Sequence, residues 1–95
     1  MNIRFLEPAR YELDDAFDWY EMEQSGLGQR FLAEVRSALK RIAIFPDSCA
    51  VIAPGLRRCM TRKFPYSLIY GVEDDTVVIV AVAHMHRTPL YWLGR

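Results

Sequence analysis

Apolar and polar positions along the chain change their period twice. Ile3 and Phe5 alternate with Asn2 and Arg4, which predicts a short strand ending at Glu7-Pro8. Ala9, Leu13, Ala16, Phe17 and Tyr20 then form one stripe at the helical period, with Pro8 suited to a first helical turn. The other face of that helix carries Glu12, Asp14, Asp15, Asp18, Glu21 and Glu23 against Arg10. These carboxylates spread around the helix instead of converging, so a solvated acidic surface is expected there and not a metal site. Ser25-Gly26-Leu27-Gly28 breaks the pattern, and a second stripe of Phe31, Leu32, Val35, Ala38, Leu39, Ile42 and Phe45 runs on to Pro46. Two helices joined by so short a glycine-containing turn form an antiparallel hairpin.

After position 46 the period falls to two. Residues 46–55, with Pro46, Asp47, Ser48, Pro54 and Gly55, read as a loop. Arg58, Met60, Arg62 and Phe64 alternate with Arg57, Cys59, Thr61 and Lys63, and the aromatic, branched run from Tyr66 to Val72 follows as another strand. Glu73-Asp74-Asp75 is a polar turn, and Val77 to Ala83 is an unbroken apolar run, the pattern of a central strand covered on both faces. Connections this short require antiparallel pairing of the last three strands. The expected fold class is α+β: an N-terminal strand, then a two-helix antiparallel hairpin packed on one face of a small, mainly antiparallel sheet. A groove is expected where the opposite face or a sheet edge stays open.

Composition narrows the class without choosing a function. The chain has 95 residues, 52% hydrophobic and 25% charged, so residues 1–95 are expected to form a single domain with its own core. No apolar run approaches the roughly 20 residues of a membrane span, and the N-terminus lacks the pattern of a signal peptide, which makes the cytoplasm the expected compartment. Cys49 and Cys59 match no zinc spacing and are expected to be reduced thiols. Charge is unevenly placed: residues 1–55 hold six Lys/Arg and nine Asp/Glu, net −3, and residues 56–95 hold six and three, net +3. A basic segment of this kind suits an anionic partner although the whole chain is neutral.

No glycine-rich phosphate loop, His-Glu-x-x-His or Gly-x-Ser-x-Gly is present, and neither metal nor cofactor is expected. The remaining chemistry lies after position 56, in Arg57, Arg58, Arg62, Lys63, Tyr66, Tyr70, His84, His86, Arg87, Tyr91 and Trp92. Guanidinium groups bind phosphate, aromatic rings stack on bases and imidazole moves protons near neutral pH, so the set suits RNA or a charged protein surface. Tyr66 and Tyr70 share one strand face and suit packing, Trp92 suits an anchor for the tail, and His86 and Arg87 fall just past a strand end. Arg57 and Arg58 are adjacent and point to opposite faces, so at most one of them faces a given ligand.

The element order, together with Leu27-Gly28-Gln29-Arg30-Phe31, Phe45-Pro46, Gly55-Leu56-Arg57-Arg58, Phe64-Pro65-Tyr66, Tyr70 and the closing His84-x-His86-Arg87-x-Pro89-x-Tyr91-Trp92, resembles the RelE/ParE superfamily of bacterial toxins. The resemblance spans nearly the whole chain. It implies the toxin of a type II toxin-antitoxin module, of the plasmid stabilisation kind, that inhibits growth and is neutralised in a hetero-oligomer by a cognate antitoxin. It also implies one of two targets: DNA gyrase, inhibited by binding in the ParE branch, or messenger RNA cleaved in the ribosome in the RelE branch.

RNA cleavage needs a base, an acid and cations around the scissile phosphate. The basic positions of the RelE branch align with Arg58, Met60, Ser67 and Met85, of which only Arg58 is basic. The resemblance therefore favours a ParE-like inhibitor, with Arg57, Arg58, Arg62, Lys63, Tyr66, His84 and Trp92 as target- or antitoxin-binding residues. The alternative is a ribosome-dependent endoribonuclease in which His86 is the acid or base, Arg58 and Arg87 hold phosphate and Tyr91 stacks or moves a proton. A third reading is a toxin-fold binding protein without either activity.

Overall fold

Local sequence accounts for most elements of the computed structural model, which describes residues 1–95. In chain order they are β1 (Asn2–Phe5), α1 (Glu7–Glu23), α2 (Leu27–Ile44), β2 (Ala50–Ala53), β3 (Leu56–Met60), β4 (Tyr66–Glu73) and β5 (Thr76–His84). One five-stranded sheet has the order β1-β5-β4-β3-β2. β1 runs parallel to β5, and every other neighbouring pair is antiparallel.

The helix hairpin depends on two glycines. Gly26 precedes α2 with φ of 88°, a left-handed conformation that disfavours any side chain. Gly28 lies where α2 crosses α1: a Cβ there would meet the Glu21 Cγ at 2.6 Å and the Phe17 ring at 2.9 Å. This close approach lets the Glu21 carboxylate accept the Gly28 amide at 2.8 Å, satisfying one of the orphan donors in the first turn of α2. Glu21 is thus a helix cap and not part of a purely solvated acidic surface.

Both helical stripes are buried on one side of the sheet. Ala9, Leu13, Ala16 and Tyr20 of α1, with Phe31, Val35, Ala38 and Ile42 of α2, pack on Leu68, Tyr70, Val77, Ile79 and Val82. Phe31 is fully buried, and truncation to Ala at such a position costs about 3–5 kcal/mol. Phe45, assigned by its spacing to the same stripe, instead follows the end of α2 and is 65% exposed.

Two strand boundaries differ from those expected. Ala50–Ala53 form edge strand β2 inside the segment read as loop, because the turn residues on either side mask a run of only four residues. β3 stops at Met60 instead of continuing to Phe64. Beyond it the Thr61 hydroxyl donates to the carbonyls of Phe64 and Tyr66 at 3.1 and 2.8 Å, Lys63 adopts a φ of 69°, and Pro65 has no amide to offer a ladder.

The far face of the sheet is not left open as expected. The chain after β5 folds back over it, and Trp92, 7% exposed, packs with Ile69, Val80, Ala81 and Ala83 in a second core. A bulge in β5 makes this possible. Tyr70 pairs with Ile79 and Ile69 with Ala81, leaving Val80 as an extra residue, so Val80 and Ala81 both serve the tail side.

Candidate functional site

Glu12 organises the end of the chain. It sits three residues after Ala9 and four before Ala16, on the flank of the α1 stripe, and its side chain is only 14% exposed. Its Oε1 accepts the backbone amide of Val82 at 3.1 Å and the Arg95 guanidinium at 2.8 Å. Its Oε2 accepts the Tyr91 hydroxyl at 2.5 Å and a second Arg95 nitrogen at 3.1 Å. Arg95 also donates to the carbonyl of Val80 at 3.1 Å. The carboxylate therefore joins α1, β5 and the tail, which corrects its assignment to a solvated acidic face.

The tail held in this way closes a cleft of about 110 Å³, lined by Arg58, Ser67, Ile69, Ala83, His84, Met85, Arg87, Pro89, Tyr91 and Trp92. Arg58 thus comes together with His84, Arg87, Tyr91 and Trp92, which follow it by 26 residues or more. Their freedom differs greatly. The Arg87 guanidinium stands 4.1 Å from the Tyr91 ring centroid and 3.6 Å from Glu12, so its charge is already shared. Burial, and then the hydrogen bond to Glu12, push the Tyr91 phenol well above the ordinary tyrosine range, which leaves the hydroxyl committed as a donor. Arg58 is exposed and makes no ion pair. Trp92 lies beneath the tail, with its ring edge-on to Tyr91 at 5.4 Å, and is a packing anchor.

His84 lies between two clefts. Its Nδ1 accepts the backbone amide of His86 at 3.0 Å, which places the proton of a neutral ring on Nε2. The ring packs edge-on to Tyr66 at 5.0 Å and lies 5.3 Å from exposed His86. On the helix side, His84 and Tyr66 line a larger cleft of about 360 Å³ with Asp15, Ala16, Trp19 and Tyr20. Tyr66 is half-buried in an aromatic cluster with Tyr20, Phe31 and Phe64, and burial raises its phenol above the usual range.

The other basic residues lie elsewhere. Arg57 points to the helix side, where it donates to the carbonyls of Asp47 and Cys49 at 2.9 and 2.8 Å and fixes the loop before β2. Arg62 and Lys63 are exposed in the turn after β3 and make no ion pair, Lys63 beside Leu27 and Arg30 of α2. Sequence reasoning missed Glu12, Arg95, Asp15 and Trp19. The signal for Trp19 was present, since a large aromatic on the polar face of α1 stays 59% exposed.

Similarity to known proteins agrees with this architecture. No protein of curated function matches the sequence. The fold is similar to that of a chain from the chromosomal ParDE toxin-antitoxin system of P. aeruginosa, with a TM-score of 0.77 and 17% identity over 90% of this chain and 97% of the other. Residues 3–89 match the family model described as the ParE toxin of the type II toxin-antitoxin system parDE. Because that match takes in the helix hairpin, all five strands and most of the cleft, the chain belongs to the ParE toxin family.

Proposed function

We propose that this toxin acts by binding a bacterial target, DNA gyrase, and that a cognate antitoxin neutralises it. The observation that carries the reading is the poverty of reactive groups in the small cleft. Arg58 is its one unpaired cation, while Arg87 shares its charge with Glu12 across 3.6 Å and Tyr91 donates to Glu12. Met85 and Ser67 complete the wall, and neither supplies a cation to a phosphate. Phosphodiester cleavage requires charge stabilisation and two proton transfers, which this set supports poorly. A protein surface requires only complementary shape and charge.

Arg58 on the tail face and Arg62 and Lys63 in the turn after β3 are exposed cations without an ion pair, and edge strand β2 offers backbone groups for strand addition. An acidic amphipathic antitoxin segment suits both features. Substituting Arg58 and Arg62 together by Glu is expected to weaken the toxin-antitoxin complex by about tenfold or more, as read by titration calorimetry. Unchanged affinity would place the interface elsewhere.

Expression of the chain alone in bacteria tests the target. The expected result is growth arrest with gyrase-linked DNA breaks and an SOS response, relieved by co-expression of the antitoxin. Codon-linked cuts in messenger RNA that vanish in His86→Ala would replace this reading by the endoribonuclease. Soluble protein with no effect on growth would leave a binding protein without toxic activity.

A further inference from the structure

Two thiols that play no part in the clefts face each other across the β2–β3 hairpin. Ala50, the first residue of β2, pairs with Arg58, and that register continued by one residue sets Cys49 opposite Cys59. The amide of Thr61 donates to the Tyr66 carbonyl at 3.0 Å, toward β4, and alternation along β3 turns the backbone groups of Cys59 the same way. Cys49 and Cys59 therefore occupy a non-hydrogen-bonded cross-strand position, where Cα atoms stand about 4.5 Å apart and side chains approach most closely. Disulfides span Cα separations of about 4.4–6.8 Å. Both side chains lie on the helix side of the sheet, Cys59 within the first core and Cys49 packed against it.

We propose that Cys49 and Cys59 form a reversible dithiol modification site, closed to an intramolecular disulfide by low-molecular-weight disulfides of the glutathione type. Exposure sets the order of events, because Cys49 is half-buried and Cys59 only 4% exposed. The Cys49 thiolate attacks one sulfur of the small disulfide, forming a mixed disulfide and releasing the first small thiolate, which takes up the proton lost by Cys49. The Cys59 thiolate then attacks Cys49 Sγ and releases the second small thiolate, which takes up the proton of Cys59. Two protein thiols are oxidised, one small disulfide is reduced to two thiols, and no other reactant is required.

The surroundings act on the closing step in opposite senses. Arg41 donates to Cys59 Sγ at 3.8 Å and to the Met60 carbonyl at 2.8 Å, placing a cation beside the attacking sulfur. Burial and the neighbouring Cys49 push the Cys59 thiol up, so the second step is the slower one and quickens in mild alkali. The bond would lock edge strand β2 to β3, next to a loop already tied by the Tyr70 hydroxyl to the Pro46 carbonyl at 2.6 Å.

The test is to incubate the folded full-length chain with excess oxidised glutathione at about pH 8.5, near the ordinary thiol range, and follow it by intact mass and peptide mapping. The expected product is a monomer lighter by two hydrogens, with the Cys49 and Cys59 peptides linked and both thiols restored by reductant. Cys59→Ser should stop at a glutathione adduct on Cys49, and Cys49→Ser should form no internal bond. If Cys59→Ser does not fold, the wild-type map and Cys49→Ser still decide. A stable Cys49 adduct in the wild type, an intermolecular cross-link, or two unreacted thiols would each overturn the proposal.

Discussion

Replacing Glu12 by Ala tests whether one carboxylate holds the tail to the rest of the fold. The side chain accepts from Val82, Tyr91 and Arg95 and faces Arg87. These contacts are not equal. Arg87 is 55% exposed, so its pair contributes under about 1 kcal/mol. Arg95, with its side chain 19% exposed, can turn to water when its partner is lost. The Val82 amide is fixed in β5 and cannot turn; leaving it without an acceptor costs about 1–3 kcal/mol. The charge-assisted bond from Tyr91 adds about 1.5–3 kcal/mol. The expected loss is therefore about 2.5–6 kcal/mol, a large share of the roughly 5–15 kcal/mol that stabilises ordinary domains. A fall in the urea midpoint at unchanged slope would report it, and hydrogen exchange should show that amides after His84 lose protection first. Stability within about 0.5 kcal/mol of wild type, or a global loss with the tail still protected, would refute the role assigned to Glu12.

Alkaline pH should destabilise the protein. Burial raises the phenols of Tyr20, Tyr66, Tyr70 and Tyr91 above the unfolded value of about 10, so above that pH the unfolded chain releases protons that the folded chain keeps. Stability is fully present below about pH 10 and declines as pH rises toward the raised folded values; a urea midpoint that stays flat from about pH 9 to 11 would contradict this. Gly28→Ala should cost about 1–3 kcal/mol, because its methyl group meets the Phe17 ring and the Glu21 stem where the helices cross. A thermal midpoint within about 2 °C of wild type would show that the hairpin yields there instead.

Much of the fold was legible because it depends on local period. Both helices, the polar turn after β4 and the central position of β5 follow from spacing alone. β2 and the end of β3 were not legible, since a four-residue edge strand is too short to show a period and the Thr61 side chain ends β3 through bonds that spacing does not encode. The cleft was legible in part. Arg58, His84, Arg87, Tyr91 and Trp92 stood out by type, but Glu12 did not, because its partners lie 70 to 83 residues away in sequence. What a sequence hides most easily is a contact whose meaning depends on both ends.

The extra residue at Val80 has a further consequence. Before it, odd-numbered positions of β5 face the helices; after it, even-numbered positions do, as Val77, Ile79 and Val82 show. His84 inherits this change of phase, which sets its imidazole on Tyr66. Were the same residues of β5 paired in simple alternation, without the bulge, His84 would turn toward the face of Arg58 and Val82 would lie against the tail. The position of the imidazole is thus encoded four residues upstream, by a count of residues and not by any side chain around it.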